Sequence, residues 1–136
     1  MGTCFAIMPI GKPDSDVRKH SDKVYRHIIK KALEENNPPY HCIRADEVSR
    51  PNNIIRDVVQ HLYDADVVIA DLTDQNPNVF YEVGVTHAVG QNLLPIIQGR
   101  SRIPFDLHDE ATIRYADSED GLRKLQEDIL EIMRNY

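Results

Sequence analysis

The sequence has no tryptophan, two cysteines and six glycines among 136 residues, and each shortage closes off a class of protein. Cys4 and Cys42 form no C-x-x-C pair and sit in separate strand-like runs. A disulfide-stapled secreted scaffold needs more than that, so both read as reduced core thiols of a cytoplasmic protein. Neither is flanked by groups that lower a thiol pKa, which argues against a catalytic cysteine. No apolar run approaches the roughly 18 residues of a membrane span. The N-terminus also lacks the basic start and long apolar stretch of a signal peptide. Positive charge is scarce: 16 Lys and Arg against 22 Asp and Glu leave a formal net charge of -6. Such a chain repels a polyphosphate backbone, so a nucleic-acid polymer is not expected as its main partner unless the cations cluster on one face. The six histidines show no H-E-x-x-H or comparable ligand spacing, so neither a metal nor a cofactor is expected. There is no internal repeat and no low-complexity segment.

What is present is ordinary for a globule. Hydrophobic residues make up 41% and charged residues 28%, enough for one domain over residues 1–136 with a real core. "TCFAIM" (Thr3–Met8) is a buried-strand pattern stopped by Pro9 and Gly11. A helical spacing of Val24, Ile28, Ile29, Ala32 and Leu33 follows Ser21 as a candidate N-cap and ends at Pro38 and Pro39. "YHCIRAD" (Tyr40–Asp46) is a second strand, and Ile54, Ile55, Val58, Val59 and Leu62 mark the inner face of the next helix. "DVVIADL" (Asp66–Leu72) is short, continuous and β-branched, as a central parallel strand should be. A helix from about Val79 to Val89 then has Asn78 as N-cap and Gly90 as its stop. "LLPIIQ" (Leu93–Gln98) is a fourth strand, in which Pro95 suggests a late start. "ATIRYA" (Ala111–Ala116) is a fifth, and a last helix spans about Glu119 to Met133.

This alternation predicts an α/β fold: a flavodoxin- or Rossmann-like three-layer sandwich with a five-stranded parallel sheet of order 2-1-3-4-5. Ligands of such sheets bind at the carboxyl ends of the strands, which puts residues 9–20, 46–53, 72–78 and 99–110 at the binding edge. There, Asp71 closes strand 3, Asn76 and Asn78 follow, and Glu82 falls on the first turn of the next helix. At that place the helix dipole favours an ionised carboxylate. A held anion is what attack on a sugar C1′, or stabilisation of an oxocarbenium-like transition state, requires. Asp71 could position the substrate or act as acid or base. On spacing alone the structural roles have the stronger claim: a first-turn acid that serves the helix, and an aspartate that holds its own loop.

The wording of the motif changes that balance. "AIMPIG", then "RADE", "ADLTDQNPNVFYEVGVTHAVG" and "IPFDL", resembles the nucleoside 2-deoxyribosyltransferase-like family, which shades into TIR-like nucleotide-cleaving domains. The similarity runs from Phe5 to about Tyr115, and its specific core is "DLTDQNPNVFYEVG". The resemblance implies Glu82 as the attacking glutamate, Asp71 as a substrate-contacting acid and Asn78 as a sugar-binding group. It implies an N-glycosidase or deoxyribosyltransferase acting on a nucleoside, a nucleoside monophosphate or an NAD-like molecule, by hydrolysis or base exchange. Related folds often complete the pocket with a neighbouring subunit, so a homo-oligomer is plausible. The alternative is a nucleotide-binding or TIR-like signalling module without turnover. A phosphoacceptor receiver domain is discounted, because Pro9 and Ile10 stand where its acidic pair belongs.

Further candidates line the same edge. The loop after strand 1 carries Met8, Gly11 and Ser15, and with Lys12, Arg18 and Lys19 it could receive a phosphate or simply be a solvated loop. Asp46 stands after strand 2, where dinucleotide folds place a ribose-binding acid, although no glycine fingerprint accompanies it. Phe105 could stack on a base and Asp106 bond its edge; equally, Phe105 could plug the core.

Overall fold

The computed structural model describes residues 2–48, 54–99, 102 and 112–135. Five parallel strands form one sheet in the order β2-β1-β3-β4-β5: β1 Gly2–Ile7, β2 Tyr40–Arg44, β3 Val67–Asp71, β4 Leu93–Gln98 and β5 Ile113–Tyr115. This is the topology expected from the alternating pattern. Alternate residues of each strand serve opposite faces, as the two-residue period requires. Cys4, Ala6, Val67, Ile69, Leu94 and Ile96 pack on one side and Phe5, Ile7, Val68, Ala70 and Ile97 on the other. On the first side lie α1 (Asp16–Val24), a π-helical turn (Tyr25–Ile29), α2 (Lys30–Glu35) and α5 (Glu119–Met133); on the second lie α3 (Ile54–Asp64) and α4 (Pro77–Ala88). Cys4 and Cys42 face each other in the β1–β2 register as free, buried thiols.

Several element boundaries differ from expectation, with β2 ending at Arg44 rather than Asp46, and three of the differences have a clear local reason. Ser15 rather than Ser21 caps α1, its hydroxyl oxygen accepting from the Arg18 N–H at 3.1 Å. The first turns of α1 face outward, with Val17 exposed, so no apolar period announced them. β4 begins on time at Leu93 despite Pro95. The Ile96 carbonyl accepts from the N–H of Leu72, the residue after β3, so Ile96 turns its peptide groups toward β3 and Pro95 turns away from it. On that far side β5 pairs only from Ile96 onward, and the missing proline N–H is not needed. The third boundary is the start of α4, and it shapes the site.

Candidate active site

Two cavities open at the carboxyl edge of the sheet, on either side of the chain leaving β1. The larger, of about 750 Å³, lies on the α3–α4 side. The end of β1 supplies Met8, Ile10 and Gly11, the turn after β2 supplies Ala45 and Asp46, and α3 supplies Val58. The start of α4 supplies Asn76, Asn78, Tyr81 and Glu82. Gly11 has φ +65°, and a Cβ there would stand 2.9 Å from the Ser15 hydroxyl oxygen, so a side chain at this turn would be both strained and crowded.

The α4 start corrects the sequence reading. Asn76, not Asn78, is the N-cap: its side-chain oxygen accepts from the backbone N–H groups of Asn78 at 2.9 Å and Val79 at 3.2 Å. Pro77 takes the first helical position, where its missing N–H costs nothing. The chain reaches this cap through Asp74 and Gln75, both at positive φ. The shift leaves the Asn78 side chain on the cavity wall instead of on the cap, and it moves Glu82 from the first helical turn to the second.

That relocation reverses the expected electrostatics. The helix-terminus field fades beyond the first turn. Glu82 Oε2 is buried and has no hydrogen-bond partner among the described residues. Burial without compensation pushes the Glu82 carboxyl from its ordinary 4.5 up to about 7, so the site raises the pKa where the sequence suggested a favoured anion. Tyr81, the neighbouring residue, is 57% exposed and also lines the cavity.

Asp71 stands elsewhere. It is buried at the end of β3 and lines the second cavity, of about 260 Å³, on the α1–α5 side with His20, Thr73 and Asp117. Its carboxylate accepts from the Thr73 N–H at 3.0 Å, from the Thr73 hydroxyl and from the Tyr115 hydroxyl at 2.8 Å. Tyr115 has one proton to give, so His20 Nε2, 2.9 Å away, donates to the tyrosine oxygen. Burial raises the Asp71 pKa, and the Thr73 and Tyr115 bonds pull against it. The expectation that Asp71 and Glu82 share one cavity is therefore not met; Asp71 ties the β3 end to its loop and to β5. Ser15 is likewise spent, capping α1 and donating to the Lys12 carbonyl at 2.6 Å, and it does not line the larger cavity. Phe105 and Asp106 lie outside the described residues. Met8, Gly11, Asp46, Asn76, Asn78 and Glu82 are brought together in that cavity.

Sequence reasoning overlooked Arg44. This arginine is 1% exposed, stacks 4.8 Å from the Tyr25 ring and holds Asp46 and Asp22 in ion pairs of 2.6 Å each. Its signal was the "RADE" tetrapeptide, a cation closing a buried strand with acids two and three residues on.

No helix among the described residues is long and apolar enough to cross a membrane, and no cluster of three or more His, Cys, Asp or Glu among them is placed to hold a metal ion. No protein-family model matches the sequence, and no curated protein matches it. The fold does have solved counterparts. A 2-deoxyribosyltransferase from Bacillus psychrosaccharolyticus superposes with a TM-score of 0.66 at 12% identity, over 91% of this chain and 90% of that one. A 2-deoxyribosyltransferase from Leishmania mexicana gives 0.62 at 15% identity, over 93% and 98%. A CMP N-glycosidase from Clostridium botulinum gives 0.59 at 14% identity, over 90% and 97%. At these identities the likeness is one of fold.

Proposed function

We propose that this protein cleaves the N-glycosidic bond of a nucleoside or nucleotide, with Glu82 as the group that meets the anomeric carbon. The observation that carries the proposal is a buried carboxylate oxygen, without a hydrogen-bond partner among the described residues, on a residue that lines a cavity of about 750 Å³. A volume of that size accommodates a small ligand of this class. Two of the solved structures with this fold are named as deoxyribosyltransferases and one as a CMP N-glycosidase, all of which act on this kind of bond.

The electrostatics supply a reason for catalysis. Glu82 Oε2 has no hydrogen-bond partner among the described residues, and an anion there is correspondingly costly. The transition state for glycosidic cleavage develops positive charge at C1′ and the ring oxygen. The carboxylate then gains a partner that the ground state withholds, which is differential stabilisation of the transition state. In the first step the C1′–N bond breaks with its electron pair leaving on the base, which takes up a proton from solvent, and a Glu82 oxygen bonds to C1′. In the second, water or another base attacks C1′ and gives up a proton to solvent, and the glutamate leaves as carboxylate. Water gives hydrolysis and a base gives exchange. An NAD-like substrate follows the same two displacements without the proton, because its cationic ring nitrogen takes the electron pair and leaves as neutral nicotinamide; a TIR-like relation would favour this variant.

The test is release of free base, followed by chromatography, from nucleosides, 2′-deoxynucleosides, their 5′-monophosphates and NAD. Release that disappears in Glu82→Gln supports the proposal. Binding of any of these without release would identify a binding module instead.

A further inference from the structure

The "RADE" turn after β2 has a defined architecture that the cleavage chemistry leaves unexplained. Arg44 closes β2 and is buried. Its Nε donates to Asp46 Oδ1 at 2.6 Å and its Nη2 to Asp46 Oδ2 at 3.0 Å, a two-pronged contact that fixes the plane of the carboxylate. The remaining guanidinium contacts tie the turn to α1, through Ser21 at 3.2 Å and Asp22 at 2.6 Å. The Arg44 N–H donates to Glu47 Oε1 at 2.9 Å, and the Tyr25 hydroxyl, from the π-helical turn, donates to that same oxygen. The turn is thus bound at its strand, its far end and the helix beside it.

Asp46 is the member of this cluster that lines the Glu82 cavity. A carboxylate held by one arginine through both oxygens keeps a lone pair on each for a second donor. Burial pushes its pKa up, but the hydrogen bonds and charge of Arg44 outweigh this and hold it below the usual carboxylate value. At Asp46 the cavity wall therefore presents two fixed acceptors, side by side. Among the described lining residues Asp46 and Glu82 carry the charge, and both are acids, so the wall at Asp46 suits hydrogen-bond donors. Two adjacent hydroxyls are such a pair of donors. An exocyclic amine, by contrast, offers both its hydrogens from one nitrogen.

We propose that Asp46, oriented by Arg44, accepts hydrogen bonds from the vicinal 2′- and 3′-hydroxyls of a ribose, which makes the site select ribosyl over 2′-deoxyribosyl ligands. The inference rests on the reading of the Glu82 cavity as a nucleoside site. Asp46 is the specificity-determining contact and Arg44 a positioning residue. A 2′-deoxy sugar leaves one acceptor to water, and losing a hydrogen bond to a charged group weakens binding by about tenfold or more.

The test is equilibrium binding by ligand-observed NMR on the Glu82→Gln protein, which keeps ligand intact. The probes are adenosine, guanosine, cytidine and uridine, their 5′-monophosphates and the 2′-deoxy counterpart of each. For the preferred base, the ribosyl form is expected to bind about tenfold or more tightly than its 2′-deoxy partner. Adding Asp46→Asn should bring that ratio close to one by weakening the ribosyl form alone. Arg44→Lys keeps a positive charge but loses the planar two-pronged contact. It should lower the ratio while the affinity for the 2′-deoxy form stays within about twofold. A purely structural role would weaken both sugars together. Should Arg44→Lys not fold, as judged by circular dichroism, the Asp46→Asn arm decides alone. Equal affinity for the two sugars, an unchanged ratio in Asp46→Asn, equal losses for both sugars, or no binding of any probe overturns the inference. A sugar ratio that behaves as expected in a protein that releases no base removes the catalytic proposal and leaves this one standing. Base release without a sugar ratio does the reverse.

Discussion

Replacing Glu82 with glutamine should make the protein more stable, and the gain should depend on pH in a defined direction. Below pH 4.5 the carboxyl is protonated in the folded and the unfolded chain alike, so the wild-type protein carries no charge penalty there. Between 4.5 and about 7 the unfolded chain ionises while the folded chain keeps its proton, and stability falls with each unit of pH. Above about 7 both forms are ionised and the loss is complete, at about 3 kcal/mol for the whole interval. Glutamine has nearly the same shape, also leaves a polar group unpartnered, and does not titrate. The pH dependence of the difference between the two proteins therefore isolates the charge. A change of about 3 kcal/mol corresponds to about 10 °C in Tm for a chain of this size. The assay is thermal unfolding of both proteins, by circular dichroism or calorimetry, at intervals from pH 4 to pH 8. The two Tm curves should run together at pH 4 and separate by about 10 °C at pH 8, with the variant higher. Parallel curves across this range would mean that Glu82 is not a desolvated carboxylate, and the electrostatic argument for its reactivity would fall with them.

The same shift governs activity. With Glu82 required as an anion, kcat/KM for base release should rise with pH through about 7 and level off above it, and a profile flat across that range would refute the assignment. Asn76→Ala removes the acceptor for two backbone N–H groups and should cost about 1 kcal/mol in denaturant unfolding. Asn78→Ala, which leaves the cap intact, should cost less than about 0.5 kcal/mol. Tyr115→Phe takes a hydrogen bond from buried Asp71, letting its pKa climb further. The variant should be less stable by about 1–3 kcal/mol, with the deficit growing as pH rises above the ordinary aspartate range in urea titrations. Arg44→Met strands Asp22 and Asp46 without their buried cation and should destabilise by about 3–5 kcal/mol, far more than removal of the exposed Lys124–Asp128 pair.

How much was legible beforehand differs between the fold and the site. The order of elements and the sheet topology follow from local patterns, because a buried parallel strand such as "VVIAD" and an amphipathic helix such as residues 119–133 announce themselves by period. Handedness and connection rules then leave few arrangements of five parallel strands. The sequence alone also placed Glu82, Asn76, Asn78, Asp46, Met8 and Gly11 at the carboxyl edge of the sheet, where they line one cavity. It could not decide which of the edge residues share a cavity. Asp71 and Glu82 are eleven positions apart and read as one site, yet they line different cavities on the two sides of the chain leaving β1. Nor could it distinguish Asn76 from Asn78 as the cap, since both residue types qualify and only the backbone path through Asp74 and Gln75 selects one. The sign of the Glu82 pKa shift was beyond it as well. Local sequence reports the helix dipole, whereas desolvation depends on what surrounds the carboxylate once the chain has folded. Burial is a property of residues distant in the chain, and here it outweighs the local field.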